Sequence, residues 1–327
     1  LMRRALAKSL GAVEERFVIS VKTDNAGTSA DNQFTIPTST TGITQAFLYD
    51  IETSDGQTIT GLTGNHTITF PSAGEYEVRI SGSFPYMRFN NGGDRLKMLD
   101  ISNFGVYALG STSQDGAFRG CSNMVISATD SGNFGSVNSF QSTWRDCTSL
   151  TSFPLIDTSS GDGFGNAWQN CLSLTSFPLL DTSSVTNFQS AWAGCSSLTS
   201  FPLIDTSSGT IFGNAWRSCS SLTSFPLLDF SSSIAFSVSG LGAWGLCPSL
   251  ATFPSNAFDA SSATNYAGAF SSTNLTTQSI DDILVSLDTS GVSNGAFTQS
   301  GGQAPSATGI AAKDSLVAKG WTITYTA

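Results

Sequence analysis

Four aspartates recur at intervals of 24 residues: Asp157, Asp181, Asp205 and Asp229, each opening a DTSS or DFSS tetrapeptide. Carboxylates stacked about one strand spacing apart repel each other unless hydrogen bonds or cations neutralise them. The ladder is therefore the first candidate for chemistry. A calcium ion or a substrate could occupy it, and two of its carboxylates could imitate a glycosidase pair. Acid and base roles, however, need unlike environments, and a repeat supplies identical ones. An Asp ahead of Ser and Thr habitually accepts from backbone donors of its own turn, a structural role that suits a motif present in every unit. The ladder is expected to hold no catalytic residue and no cofactor, with calcium as the alternative.

The other reactive types are sparse. The single histidine, His66, lies in the alternating run HTITF, remote in sequence from every cysteine, and reads as an ordinary strand residue. Any Ser-His-Asp or Cys-His mechanism would have to use it. The six cysteines form no CxxC pair, and with one histidine they make no zinc constellation. One cysteine per unit at a fixed register reads as a buried, reduced thiol. The GDGFG stretch, Gly161 to Gly165, lacks the lysine and spacing of a phosphate loop, and no glutamate follows Glu77. The chain is expected not to be an enzyme.

Of 327 residues only 12% are charged, and the net charge is −10. From residue 121 to 300 the only basic side chains are Arg145 and Arg217. Duplex nucleic acid, whose binding needs clustered cations, is not expected as a partner. No run approaches the roughly 18 apolar residues of a membrane span, so no membrane insertion is expected. The opening LMRRALAKSLGAVEE breaks its apolar residues with Lys8 and Ser9 and lacks the continuous core of a secretory signal. Residues 1–15 are read as a docking arm for a larger assembly.

Elements that would carry these residues follow from periodicity. Phe17, Ile19 and Val21, and later Tyr76, Val78 and Ile80, alternate with other residues, the period-two mark of half-buried strands. Short strands between turn-rich pieces predict a small β-sandwich over residues 16–90. Next, Cys147, Cys171, Cys195 and Cys219 are spaced by 24, with Cys121 before and Cys247 after them. An aromatic stands three positions ahead of each: Phe118, Trp144, Trp168, Trp192, Trp216 and Trp244. Such self-similarity predicts a solenoid over residues 91–300, in which each coil buries a wedge of Phe, Leu, Trp and Cys against its neighbours.

Leu198, Phe201 and Leu203 have LxxLxL spacing, which places a strand at TSFPLID and an irregular return through FGNAW. Period-two geometry then turns Ile156, Leu180, Ile204 and Leu228 outward as an aliphatic stripe beside the aspartates. These eight residues form the candidate binding surface. Residues 301–327, with a helix over Ile310 to Lys319 and a final strand, are the C-terminal cap. The fold class is mainly β: a small N-terminal sandwich, then a leucine-rich-repeat-like solenoid of coils of about 24 residues, then a helix-strand cap.

HTITFPSAGEYEVRISGSFPYMRFNNGGD, AFRGCSNM, the repeated CSSLTSFPLIDTSS and the closing AAKDSLVAKGWTIT resemble the BspA-like leucine-rich-repeat surface proteins, a group with bacterial and phage members. The resemblance covers about residues 17 to 327. It implies a PKD-like sandwich ahead of the repeats, and a surface-exposed, non-enzymatic binding or structural role. The expected function is that of a phage virion surface protein, on a tail fibre or the capsid, acting in host adhesion or particle structure. Its expected partners are other virion proteins through the arm, a host surface glycan or protein, and further copies of itself. The alternatives are a bacterial cell-surface adhesin and, further off, a polysaccharide-cleaving solenoid enzyme.

Overall fold

The computed structural model describes residues 16–326; the docking arm expected at residues 1–15 lies outside the described residues. The protein is mainly β, in several sheets, none of them closed. Strands β1 (Phe17–Lys22), β2 (Gln33–Ile36), β3 (Leu48–Thr53), β4 (Thr58–Leu62), β5 (His66–Thr69) and β6 (Glu75–Ser83) come first. Phe17, Ile19 and Val21 on β1 and Val78 and Ile80 on β6 are fully buried, so the period-two pattern does select the inner face. β2 pairs with β5, placing His66 opposite Ile36, which leaves the histidine in an ordinary ladder.

The larger sheet does not stop at residue 90. It runs β4-β3-β6-β1-β7-β8, taking in β7 (Met98–Asn103) and β8 (Val125–Ile126) from the next segment. A buried ion network fixes the same junction. Lys97 Nζ donates to the carbonyls of Ser29, Ala30 and Gln33, while Asp94 accepts from the backbone of Thr28, Ser29 and Thr35. Charges this deep persist only when their hydrogen-bonding capacity is filled.

From Ser113 onward successive units lie side by side, linked by parallel bridges Ser139–Gly163, Gly163–Asn187, Asn187–Ile211 and Ile211–Ala235. The predicted strand at TSFPLID is absent, and the backbone ladder runs instead through the aromatic segment expected to be the return. Phe164, Asn166, Trp168 and Asn170 donate their N–H groups to the next unit's Asn187, Gln189, Ala191 and Ala193 carbonyls at 2.7–2.9 Å. The residues between them close tight turns, as Gln169 N–H to Asn166 and Cys171 N–H to Trp168 show. This alternation needs left-handed backbone at two positions per unit, φ 58° at Asn166 and 61° at Asn170. Ser142 and Asp146, Ser190 and Gly194, and Asn214 and Ser218 fill those positions around Trp144, Trp192 and Trp216, types that tolerate that region, and Leu246 with φ 59° is the exception after Trp244.

In the TSFPLID segments unit-to-unit bonding stays at the start, as in Thr175 N–H to the Thr151 carbonyl at 3.2 Å, and proline, with no N–H to donate, keeps it from extending into a strand. Leu180 N–H closes onto the Pro178 carbonyl at 3.0 Å, and Ile204 N–H onto that of Pro202 at 3.0 Å. These are inverse γ-turns with Leu179 and Leu203 at the apex. The turn breaks period-two alternation and reverses the predicted faces.

The interior is a set of aromatic columns. Trp144, Trp168, Trp192, Trp216 and Trp244 stack with centroids 5.4–5.7 Å apart and planes within 9°. Phe153, Phe177, Phe201, Phe225 and Phe253 form a second column at 5.4–6.1 Å, perpendicular to the first. The step exceeds the ~4.8 Å between paired strands. Offset stacking, which the ring quadrupole favours over direct superposition, accommodates the difference.

The C-terminal part changes style. β11 (Asn265–Phe270), β12 (Ala296–Ser300) and β13 (Thr322–Thr326) form a parallel sheet, alternating with helices α1 (Thr277–Thr289) and α2 (Ala307–Ala318). Two short strands, β9 (Ser237–Val238) and β10 (Leu241–Gly242), precede it. The helix expected at residues 310–319 is α2, and Gly320, with φ 86°, follows its end. Helix α1 is an addition to the elements that periodicity predicts.

Because Asn166 and Asn214 carry positive φ, substitution by glycine should leave thermal stability unchanged or raised. Asn214→Val should cost about 1–2 kcal/mol in chemical denaturation. Equal stabilities for the two Asn214 variants would contradict the turn-based ladder.

Candidate functional site

The eight predicted surface residues divide into two groups. Ile156, Leu180, Ile204 and Leu228 are 2–3% exposed and belong to the core, so their assignment to an outer stripe is corrected. Their predecessors lie outside instead: Leu155, Leu179, Leu203 and Leu227 are 52–66% exposed, with the γ-turn bond closing at Leu179 and Leu203. A stripe of leucines therefore exists, one residue earlier than alternation places it. The phenylalanines two positions ahead of these leucines step by 6.0–6.1 Å per unit.

Asp157, Asp181, Asp205 and Asp229 lie exposed beside this stripe. Each accepts from the second residue after it: Asp205 Oδ1 takes the Ser207 N–H at 2.9 Å and the Ser207 hydroxyl at 2.7 Å. Asp157 and Asp181 do the same with Ser159 and Ser183, and Asp229 takes the Ser231 N–H. Hydrogen bonds from the serine hydroxyl and backbone hold the carboxyls of Asp157 and Asp205 below the usual carboxylate value. The threonine of each DTSS is buried and reaches the next unit, Thr158 Oγ1 to the Asp181 carbonyl at 2.6 Å and Thr206 Oγ1 to that of Asp229 at 2.6 Å. The tetrapeptide therefore makes a turn and joins units. Among the described residues no three His, Cys, Asp or Glu side chains are grouped to hold a metal ion.

Where the stripe ends, a shallow open groove is lined by Leu227, Asp229, Phe230, Asn256 and Asp259. Asp259 Oδ1 accepts the Ser286 hydroxyl at 2.6 Å, so the two carboxylates in the groove have different partners.

The cysteines are buried, free thiols. Each from Cys147 to Cys247 donates Sγ–H to the carbonyl of the aromatic residue one unit back, as Cys195 does to Trp168 at 3.3 Å and Cys219 to Trp192 at 3.3 Å. Burial pushes all six thiols up, Cys247 to about 12, which removes the thiolate that nucleophilic or redox chemistry requires. Among the described residues the five column tryptophans have no hydrogen-bond acceptor for their indole N–H groups. The perpendicular phenylalanines, 4.6–5.3 Å away, are the π-systems they pack against.

Among the described residues no helix is long and apolar enough to cross a membrane. No family model, curated protein or solved structure matches the chain.

Two outcomes follow. A thiol reagent such as Ellman's should modify none of the six cysteines in native protein and all of them in denaturant; rapid native labelling would contradict the sealed column. The depressed carboxyls of Asp157 and Asp205 contribute stability above the unfolded carboxylate value, near 3.9, which is lost as pH falls through their lower folded values. Asp157→Ala/Asp205→Ala protein should accordingly lose less stability than wild type between about pH 5 and pH 2, and parallel melting curves would contradict this.

Proposed function

We propose that the chain is a non-enzymatic surface protein of a phage virion, carried on a tail fibre or the capsid, that serves in host adhesion or particle structure. On this reading the stacked units form a leucine-rich-repeat-like solenoid, the N-terminal part is a PKD-like spacer, and residues 1–15 attach it to other virion proteins. The observation that carries the binding role is the leucine stripe, four side chains 52–66% exposed in a row and flanked by aspartates already engaged in their own turns. Contiguous apolar surface of this kind marks a contact site. The stripe is built on stacked, hydrogen-bonded units, so little conformational freedom remains to be lost on contact.

Recognition would consist of the leucines seating on an apolar face of the partner, a host surface glycan or protein, with serine, threonine and aspartate hydrogen-bonding at the rim. The buried thiols and the serine-bound aspartates support a binding role over a catalytic one.

Immunogold labelling of purified particles with an antibody to this chain should decorate tail or capsid. Unlabelled particles with a labelled bacterial envelope would overturn the virion assignment. Leu179→Asp/Leu203→Asp protein should bind host cells at least about tenfold more weakly, with an unchanged melting temperature; undiminished binding would remove the stripe from the function.

A further inference from the structure

Eleven lysines and arginines lie among the described residues, and the side chains of eight hydrogen-bond or ion-pair with described groups. The other three, Arg95, Arg119 and Arg217, do neither. In a chain with 24 acidic residues against 14 basic ones, a partner for every arginine would be easy to supply. Of the three, Arg95 lies against Gly120, the residue after Arg119, and the Nε atoms of Arg95 and Arg119 are buried without an acceptor.

The neighbourhood centres on Gly120. Its N–H donates to the Arg145 carbonyl at 2.8 Å, and Arg119 precedes it in the chain. The Arg95 side chain crosses over it, with Cδ 2.7 Å and Nε 2.9 Å from where a Cβ on this residue would stand. Gly120, with φ 81°, thus admits Arg95 beside the main chain. Arg119 and Arg145 occupy equivalent places, one residue after the aromatic of consecutive units, and the Nε of Arg145 is likewise buried without a hydrogen bond.

The acids nearby are committed. Asp94 accepts from Thr28, Ser29 and Thr35, and Asp115 from the Ser139 hydroxyl and the Gln141 N–H. Among the described residues only Asp146 pairs with one of these arginines, its Oδ2 lying 3.5 Å from Arg145 Nε while its Oδ1 accepts from Asn170. One carboxylate against three guanidiniums leaves the cluster with excess positive charge and with buried donors unused. Both conditions are costly, and an outside anion meeting the half-exposed guanidinium ends would offset the excess charge.

We infer that Arg95, Arg119 and Arg145 form an oxyanion-binding site at the junction of the N-terminal sheet and the first repeats. The ligand group is a carboxylate, sulfate or phosphate, the planar or tetrahedral oxyanions that guanidinium forks hold through paired N–H donors. The site is separate from the leucine stripe and does not rest on the adhesion reading.

The test is the melting temperature of the full chain, with sodium chloride as the ionic-strength-matched control. The probes are sodium sulfate, inorganic phosphate and galacturonate, which separate the three oxyanion sources. At least one should raise the wild-type midpoint by about 2 °C or more beyond chloride, as a ligand that binds only folded protein must. Arg119→Gln and Arg95→Gln should abolish that rise. Arg217→Gln should keep it, because Arg217 follows Trp216 in a later unit, where the units on either side have Ala193 and Gly245 at the equivalent place. In chloride alone Arg119→Gln should melt no lower than wild type, because it relieves an unpaired charge. No shift with any probe, an equal shift in Arg119→Gln, or loss of the shift in Arg217→Gln would each overturn the site.

Discussion

Everything in the repeat region depends on how one unit satisfies the backbone of the next while burying an aromatic wedge. A ladder that used every second residue of a flat strand would place alternate side chains on opposite faces. Here alternate N–H groups cross to the next unit and the intervening ones close turns. The chain therefore advances slowly, and Phe164, Trp168 and Cys171 all reach the interior within eight residues. Left-handed backbone at Asn166 and Asn170 is the local cost, and the small polar residues at those positions keep it low. Each unit contributes a few rings, which become a core only when the next unit covers them.

The same constraint accounts for the polar residues. A buried cysteine finds its one weak acceptor in the carbonyl of the aromatic residue a unit back, and a DTSS threonine finds its acceptor a unit forward. With those groups spent on joining units, the repeats carry few free reactive side chains. The surface left over is leucine, serine, threonine and hydrogen-bonded aspartate. The exception lies at the junction, where arginines outnumber their acidic partners.

Residue types reveal more than residue faces do. The strands of the N-terminal sheet and the buried Trp, Phe, Leu and Cys positions are legible because burial repeats with a fixed period. The strand expected at TSFPLID fails because LxxLxL spacing carries less weight than Pro154, Pro178 and Pro202, whose missing N–H groups forbid that ladder. The same error exchanges Leu203 for Ile204 on the surface, since a γ-turn shifts the register by one and is invisible to period-two reasoning. A usable signal is present in the Asn, Ser, Asp and Gly residues two positions either side of Trp144, Trp168, Trp192 and Trp216, though Leu246 breaks it after Trp244. Helix α1 is legible too, in Ile280, Ile283, Leu284 and Leu287 at helical spacing, but the repeat pattern masks it. The placing of Arg95 against Gly120, beside Arg119, is not, because only the fold brings them together.

The central claim is that tryptophans of adjacent units stabilise one another within a single continuous interior. A double-mutant cycle between Trp168→Leu and Trp192→Leu, read by chemical denaturation, tests it most directly, with Trp144 and Trp216 as a pair separated by two intervening units. Stacked at 5.7 Å, the first pair should show a coupling energy of about 0.5–1.5 kcal/mol, and the second should be additive within about 0.5 kcal/mol. Additive behaviour of Trp168 and Trp192 would contradict the account.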